Sequence, residues 1–312
     1  MIKNIIFKLE SPYRNDMKIT SYEFGNKNAK KVLAIVGSTR GNEIQQIYLC
    51  SRIINMLKTL EKEDKLDKNK KIIVIPTINN FSMNINKRFW ALDNTDINRM
   101  FPGYDLGETT QKIAYNVFEY VKDFEYGIQF ASYYLKGKFI PHVTMMKTGY
   151  EKPELMDYFG LPFSYVRTAN PYDTTTLNYN WQIWGTNAFS IYVDENEEIS
   201  DSSEEIILES IKNFLINIGI YKEELKEDFY KTQHINSENI LYIKSHKAGI
   251  LKTYIKLGQY IKKGDLIGEV FDPYEYEVLE KITSPYEGIV YFIYNRPLIN
   301  SNSNICRVIK KD

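Results

Sequence analysis

The sequence is poor in the two side chains that most often bind metals or act as nucleophiles. The chain of 312 residues contains three histidines, His142, His234 and His246, and two cysteines, Cys50 and Cys306. The histidines are far apart in the sequence, whereas a histidine-based metal site needs several ligands that converge. The few cysteines, together with an N-terminal apolar stretch too short for a signal peptide, lead us to expect a reducing, cytoplasmic location.

The sequence also lacks a net charge. Lysine plus arginine and aspartate plus glutamate number 40 each, which gives a formal net charge of zero. Such a chain has no overall field to attract nucleic acid or an anionic membrane surface, so any anion must be recognised locally. No apolar run approaches the length of a membrane-spanning helix. We therefore expect neither nucleic acid nor a membrane among its partners.

Motifs of the common nucleophilic enzymes are absent as well. There is no Gly-x-Ser-x-Gly elbow, and there is no glycine-rich phosphate loop that ends in Lys-Ser/Thr. Cys50 falls within a helical pattern without a nearby histidine. The sequence therefore does not predict a serine or cysteine nucleophile.

The first 230 residues alternate between strand and helix patterns. Short apolar runs with β-branched residues predict buried strands, and apolar residues at helical spacing predict amphipathic helices between them. The predicted strands are 31–36, 71–75, 124–130, 139–145 and 188–193, and the predicted helices are 44–60, 108–122 and 202–218, the last one capped by Asp201 or Ser202. This order predicts an α/β domain with a mainly parallel or mixed sheet flanked by helices.

The pattern changes after the charged stretch 221–231, which we interpret as the domain boundary. From residue 239 onward, short strand patterns alternate with glycine-containing turns, as in all-β modules. The sequence thus predicts an α/β domain over residues 1–230 and a C-terminal all-β domain over residues 231–312.

Several motifs together carry a family resemblance. In chain order they are Gly37-Ser-Thr-Arg-Gly-Asn-Glu43, Pro76-Thr-Ile-Asn-Asn80, Arg88, Leu92-Asp-Asn-Thr-Asp-Ile-Asn-Arg-Met-Phe-Pro-Gly103, Gly264-Asp-Leu-Ile-Gly268 and Ser284-Pro-Tyr-Glu-Gly288. The first four resemble the succinylglutamate desuccinylase/aspartoacylase family of zinc-dependent deacylases, and the last two resemble the β module that closes many members. The resemblance implies a zinc-carboxypeptidase-like mixed sheet flanked by helices, plus a C-terminal barrel-like β module.

The resemblance also implies a catalytic zinc held by two histidines and a glutamate, of which this sequence retains the glutamate. The family turn reads Gly-x-His-Gly-x-Glu, and Arg40 stands at the histidine position while Glu43 is kept. Gln129 stands at the second histidine position, and Tyr192 at that of the catalytic glutamate. An amide is a poor zinc ligand, and an arginine cannot be one because it stays protonated. We expect no cofactor, and we hypothesise that Arg40 pairs with Glu43.

The anion-binding part of the family motif is retained. By the resemblance, Arg88, Asn98 and Arg99 would hold the carboxylate of an N-acyl amino acid or of a peptide-like terminus, because a guanidinium can bind a carboxylate in a bidentate fashion. The alternative for Arg99 is an ion pair with Asp93 or Asp96 that fixes the loop. The alternative for Arg88 is a solvated surface side chain.

These residues leave three functions open. The first is a family member that has lost zinc and hydrolytic activity and binds a small carboxylate ligand, as a homo-oligomer or together with an active paralogue. The second is an active deacylase whose rearranged metal site uses Glu43, His142 and a carboxylate from the segment Asp194 to Glu197. The third is a folded remnant without a ligand.

Candidate pocket walls are Tyr133, Tyr134 and Trp181.

Overall fold

The computed structural model describes residues 1–13, 15–133, 136–194, 197–225 and 231–310. The strands are β1 (Ile2–Leu9), β2 (Met17–Phe24), β3 (Lys30–Ser38), β4 (Lys70–Thr77), β5 (Tyr126–Ala131), β6 (Gly137–Phe139), β7 (His142–Lys147), β8 (Phe163–Thr168), β9 (Asn187–Tyr192), β10 (Gln233–His234), β11 (Ile240–Lys244), β12 (Gly249–Thr253), β13 (Tyr260–Ile261), β14 (Leu266–Phe271), β15 (Val278–Thr283), β16 (Gly288–Tyr294), β17 (Leu298–Ile299) and β18 (Asn304–Lys310).

The α-helices are fewer than the strands. They are α1 (Ile44–Lys62), α2 (Asn80–Met83), α3 (Thr109–Val121), α4 (Leu177–Ile183) and α5 (Asp201–Asn217). Short 3-10 helices span Ile97–Arg99, Pro153–Phe159, Pro171–Asp173 and Ser237–Asn239.

The chain divides into two compact units. The first comprises Met1–Ser132 and His142–Thr232, and the second comprises Tyr133–Pro141 and Gln233–Asp312. The sequence placed the boundary after residue 230 and assigned residues 133–141 to the α/β domain. In the structure the first unit extends to Thr232, and residues 133–141 group with the second unit, because residues 137–139 pair with β16.

The first unit is built on a large mixed sheet. Its strands are ordered β1-β2-β4-β3-β5-β9-β7-β8. The central pairs β3 with β4, β3 with β5, and β5 with β9 are parallel, and so is β7 with β8. The pairs β1 with β2, β2 with β4, and β7 with β9 are antiparallel. The mixed sheet expected from the sequence is therefore present.

Helices cover both faces of this sheet. Side chains alternate between the faces along a strand, and in β3 Leu33 and Ile35 pack with α1 and α5, whereas Ala34 and Val36 pack with α3 and α4. All four side chains are fully buried. Strands buried on both faces have continuous apolar sequences, which explains why 31–36 could be recognised as a strand.

The second unit consists of two antiparallel sheets. One has the order β11-β18-β16-β13, with β6 also paired to β16, and the other has the order β15-β14-β12-β17. Alternate side chains of both sheets form one apolar core, which includes Leu251, Val270, Val290 and Val308. The C-terminal β structure expected from the sequence is present.

Two details of the predicted elements were wrong. The single strand predicted for residues 139–145 is divided into β6 and β7, because Pro141 lies between them and has no N–H for a strand ladder. The N-cap of α5 is Ser200, whose hydroxyl accepts from the backbone N–H of Ser203 at 3.4 Å, rather than Asp201 or Ser202.

In the described part of the chain, the helices are too short or too polar to cross a bilayer.

Trp181, which the sequence suggested as a pocket wall, lies in the core instead. Its side chain is fully buried, and its indole Nε1 donates to the carbonyl of Val121 at 3.2 Å. The ring rests on Gly127 of β5, where an added Cβ would lie 2.7 Å from the nearest ring carbon. A glycine is therefore required in β5 for α4 to approach the sheet.

We predict that Gly127→Ala lowers the free energy of unfolding by about 1–3 kcal/mol, because the new methyl group overpacks against the indole. The same substitution should cost less in a Trp181→Leu background, since the nearest atoms are then removed. Urea unfolding of the four proteins in this cycle measures both costs. Equal costs in the two backgrounds would show that the ring of Trp181 is not what excludes the methyl group.

Candidate functional site

The candidate site lies where the central parallel strands end. β3 ends at Ser38, the turn Thr39–Glu43 follows, and α1 begins at Ile44. Neighbouring β5 ends at Ala131. In open α/β sheets, the carboxyl ends of the parallel strands are where ligands bind and chemistry takes place. The turn at residues 39–43 therefore occupies the expected position for a functional site.

The turn packs closely against the segment that follows β4. An added Cβ on Gly41 would lie 2.5 Å from the backbone carbon of Ser82 and 2.5 Å from the carbonyl oxygen of Lys87. The backbone N–H of Gly41 also donates to the carbonyl of Arg88 at 3.3 Å. Glycine at this position thus allows the turn and the Arg88 segment to lie next to each other.

Arg40 lies between two carboxylates. Its Nη1 is 3.1 Å from Glu43 Oε1, and its Nη2 is 2.9 Å from Asp96 Oδ2. Its Nε also donates to Asp96 Oδ2 at 3.2 Å. Arg40 and Glu43 are both buried, with exposed fractions of 5% and 1%. The ion pair between Arg40 and Glu43 that the sequence suggested is present, and Asp96 joins it.

The carboxylate of Glu43 is surrounded by donors. Its Oε2 accepts from the backbone N–H groups of Thr39 at 2.9 Å and Arg40 at 3.0 Å. Its Oε1 accepts from Ser132 Oγ in addition to Arg40. Burial by itself lowers the pKa of Arg40, but the charges of Glu43 and Asp96 outweigh it and raise the pKa above the ordinary value. The guanidinium therefore stays charged and fixed in place.

The residues present do not fit a catalytic zinc ion. Arg40 offers no lone pair, and both oxygens of Glu43 already accept hydrogen bonds. The amide of Gln129 is bonded to Asn98. Within residues 1–13, 15–133, 136–194, 197–225 and 231–310, no three His, Cys, Asp or Glu side chains are grouped to hold a metal.

Gln129 and Asn98 lie side by side near this cluster. Gln129 Nε2 donates to Asn98 Oδ1 at 3.0 Å. Asn98 belongs to the 3-10 helix Ile97–Arg99, whose N-cap Asp96 also pairs with Arg40. Gln129, which the resemblance places at the second histidine position, therefore lies next to Asn98 of the motif 92–103.

Arg88 is a cation that has no acidic partner among the residues that the structure describes. No carboxylate in the described ranges lies within ion-pair distance of its guanidinium, which contacts the ring face of Phe89 at 5.7 Å from the centroid. Burial lowers the pKa of Arg88, and the positive charge of Arg40 lowers it further. A partly buried guanidinium beside another cation is stabilised when an anion binds to it.

Arg99 pairs with neither of the two aspartates considered from the sequence. Its Nη1 donates to the carbonyl of Tyr172 at 2.8 Å and to Asp173 Oδ1 at 3.4 Å, and its guanidinium lies over the Tyr172 ring. Asp173 is also held by Arg167 at 2.7 Å. The alternative of an ion pair with Asp93 or Asp96 was wrong, because the carboxylate partner of Arg99 is Asp173.

Tyr192 and His142 form part of an aromatic stack. They are register partners on β9 and β7, with ring centroids 5.0 Å apart and an interplanar angle of 7°. His142 also stacks on the ring of Tyr165, with the centroids 5.6 Å apart. Tyr192 is thus packed as a structural aromatic residue would be, and His142 lies within the same stack.

The carboxylates proposed for a rearranged metal site are only partly described. Glu197 Oε1 accepts from Asn42 Nδ2 at 2.7 Å, next to the turn. Glu195 and Asn196 lie outside the described residues, as does Tyr134, one of the suggested pocket walls. Tyr133 is stacked on Phe139 in the second unit.

Sequence reasoning missed three residues that hold the site together. Ser132 contacts Arg40 and Glu43, Asp173 pairs with Arg99, and Arg167 holds Asp173. None belongs to a local motif, and only the meeting of distant strand ends and loops brings them in. Asp96 stood in the motif, but its partner Arg40 is 56 residues away in the sequence.

The fold and this cluster define an α/β protein with a polar site at the carboxyl edge of a mixed sheet. A family model, the succinylglutamate desuccinylase/aspartoacylase catalytic domain, matches residues 29–126. No protein with a curated description matches the chain. The family resemblance inferred from the motifs is confirmed by this match.

Solved structures share the fold over almost the whole chain. A succinylglutamate desuccinylase from Silicibacter sp. TM1040 has a TM-score of 0.80 and 18% identity, covering 99% of this chain and 95% of its own. A succinylglutamate desuccinylase/aspartoacylase from Rhodobacter sphaeroides has a TM-score of 0.77 and 16% identity, with coverages of 95% and 90%. The product-bound ectoine utilization protein EutE (DoeB) from Ruegeria pomeroyi has a TM-score of 0.75 and 20% identity, with the same coverages.

We predict that Arg40→Met destabilises the protein by about 3–5 kcal/mol, because it leaves buried Glu43 without a counter-charge. Adding Glu43→Gln should recover part of this loss, since the unpaired charge is then removed while an acceptor for the backbone remains. Urea unfolding of the single and double variants measures the coupling. Lys68→Met, which removes an exposed pair with Asp64, is the control and should cost less than about 1 kcal/mol.

If the costs of Arg40→Met and Glu43→Gln simply add, the two side chains do not depend on each other and the cluster does not stabilise the turn.

The stabilisation that Asp173, the partner of Arg99, gives to the fold should depend on pH. Burial alone would raise the pKa of Asp173, but the hydrogen bonds from Arg167 and from the backbone of Asn170 lower it overall. A carboxyl with a depressed folded-state pKa stabilises the fold above its unfolded pKa of about 3.9, and this stabilisation is lost as the pH falls through the folded-state value.

We therefore predict that Asp173→Asn costs roughly 1–3 kcal/mol at pH 7 and that the difference from the unmodified protein narrows on acidification below about pH 4. Urea unfolding at a series of pH values is the measurement, with the exposed Asp105→Asn as the control. A difference that is independent of pH would contradict an ionised Asp173 as the source of the stabilisation.

Proposed function

We propose that this protein binds a small carboxylate ligand of the N-acyl amino acid type and does not hydrolyse amides through zinc. The ligand class is the one that the family resemblance implies. The lack of zinc-dependent hydrolysis is inferred from the residues of this chain. Homo-oligomerisation or association with an active paralogue is part of the same proposal.

The observation that carries the proposal is the position of the Arg40 guanidinium. It lies between Glu43 and Asp96 and donates to both. A catalytic zinc lowers the pKa of a bound water and stabilises the oxyanion, and it needs lone-pair donors to be held. A guanidinium supplies positive charge but cannot activate a water in this way. The Arg40 position therefore favours binding over metal-assisted hydrolysis.

A carboxylate is proposed as the ligand because no acidic side chain in the described part of the chain balances the charge of Arg88. The positive charge of Arg40 is shared by two carboxylates, and Asp173 serves both Arg99 and Arg167. Arg88 has no such partner in the described part of the chain. A ligand carboxylate would supply the missing anion and would form charge-assisted hydrogen bonds.

Arg99 is suited to a supporting role. Its Nη1 is occupied by Tyr172 and Asp173, and the side chain is about one-third exposed. Its remaining N–H groups can still reach an anion, because a guanidinium has five donors. The nearby Asn98 adds a neutral donor group.

We predict that purified protein contains less than stoichiometric zinc after exposure to the metal and shows no turnover of N-acetyl-L-aspartate or N-acetyl-L-glutamate. The two compounds should nevertheless raise the melting temperature, because a ligand that binds only the native state stabilises it. Arg88→Gln should weaken their binding roughly tenfold or more, since a hydrogen bond to a charged group is lost.

Elemental analysis, a hydrolysis assay and calorimetric titration make these measurements, with the surface variant Arg52→Gln as the control for binding. Stoichiometric zinc together with turnover would overturn the proposal and favour the deacylase with a rearranged site. The absence of any thermal shift with either compound would favour the folded remnant.

A further inference from the structure

Gln129 occupies a central position at the carboxyl end of β5. Its register partners are Val36 on β3 and Ser190 on β9, so it lies on the same sheet face as these residues. It is buried, with 3% of its surface exposed. A buried amide needs partners for both its nitrogen and its oxygen, because each costs free energy if it is left unpaired.

The hydrogen bond to Asn98 determines how this amide is oriented. Gln129 Nε2 donates to Asn98 Oδ1 at 3.0 Å, so Oε1 is directed away from Asn98. Within the described ranges, Gln129 Oε1 accepts no hydrogen bond, and this oxygen atom is not completely buried. Among the described residues, Gln129 therefore has an unused acceptor atom that is not completely buried.

Asn98 presents the matching donor. Its Oδ1 is occupied by Gln129, and its Nδ2 has no partner in the described part of the chain. Asn98 is also buried, with 9% of its surface exposed. The two amides together offer one free acceptor and one free donor, next to each other and held in a fixed orientation.

This pair lies close to the cationic groups of the site. Asn98 is followed in the chain by Arg99. Asp96, the N-cap residue of the 3-10 helix that contains Asn98, binds Arg40. The carbonyl of Arg88 accepts from the backbone N–H of Gly41 at 3.3 Å, so the Arg88 segment lies next to the turn that carries Arg40. A carboxylate bound there would have the free acceptor of Gln129 nearby.

We propose that Gln129 Oε1 accepts a hydrogen bond from an N–H group of the ligand, so that the site selects secondary amides over esters of the same shape. The inference rests on the proposed function, because it assumes a ligand whose carboxylate binds at Arg88. Gln129 then acts as a specificity-determining residue: it recognises the amide N–H at the position where the family resemblance implies a metal ligand.

A buried acceptor can discriminate strongly between the two kinds of ligand. A site built to bind an N–H group is left with an unpaired polar atom when the analogue lacks that group. An ester oxygen cannot donate, and it would face Gln129 Oε1 as a second acceptor. Losing one such hydrogen bond corresponds to a change of about tenfold in affinity.

The test compares N-acetyl-L-aspartate with O-acetyl-L-malate, in which an ester oxygen replaces the N–H group. Calorimetric titration of the unmodified protein should give an affinity about tenfold higher for the amide than for the ester. Gln129→Met removes the acceptor and should bring the two affinities to within about twofold of each other. Gln233→Met, at an exposed glutamine, is the matched control and should keep the full preference.

The outcomes separate this inference from the proposed function. Equal affinity of the unmodified protein for amide and ester, with binding still weakened by Arg88→Gln, would overturn the inference and leave the proposed function in place. A preference that survives Gln129→Met would also overturn it. Binding of neither compound would overturn both. The comparison of the two ligands on the unmodified protein needs no variant, so it holds even if Gln129→Met folds poorly.

Discussion

The structure around the site depends on one buried cation between two carboxylates. Glu43 is almost completely buried, and a buried carboxylate without a counter-charge is very costly. Arg40 supplies that charge and at the same time reaches Asp96 in a loop far away in the sequence. The guanidinium thus connects the turn after β3 with the loop that carries Asn98 and Arg99.

A fixed organic cation has different consequences from a metal ion. It cannot exchange ligands or lower the pKa of a bound water, but its five donors can hold several acceptors in a fixed geometry. Arg40 uses them on Glu43, Ser132 and Asp96. The neighbouring Arg88 has no carboxylate partner in the described part of the chain. This distribution of charge is the basis of the proposed carboxylate binding.

Much of the fold could be predicted because its elements are locally encoded. The apolar run at 31–36 and the periodic segment at 44–60 correspond to β3 and α1. The segment 137–139 was different: its sequence resembles that of its neighbours, yet it pairs with β16, more than 140 residues later. Only the partner strand determines that assignment, and no local pattern contains it. Likewise, no local sequence pattern indicated that Asp173 is the partner of Arg99.

The sequence by itself determined β3, β4, β5, β9, α1, α3 and α5, the family resemblance, and the presence of Arg40 and Gln129 where that resemblance implies metal ligands, whereas β1, β2, β8 and α4 were not predicted. These properties depend on residue type and short spacing. Only the tertiary structure decided that Arg40 bridges Glu43 and Asp96, that Gln129 is oriented by Asn98, and that Arg88 has no acidic partner among the described residues. The physical reason is that ion pairs and hydrogen bonds act over a few ångströms, and folding brings side chains that are far apart in the sequence within that range.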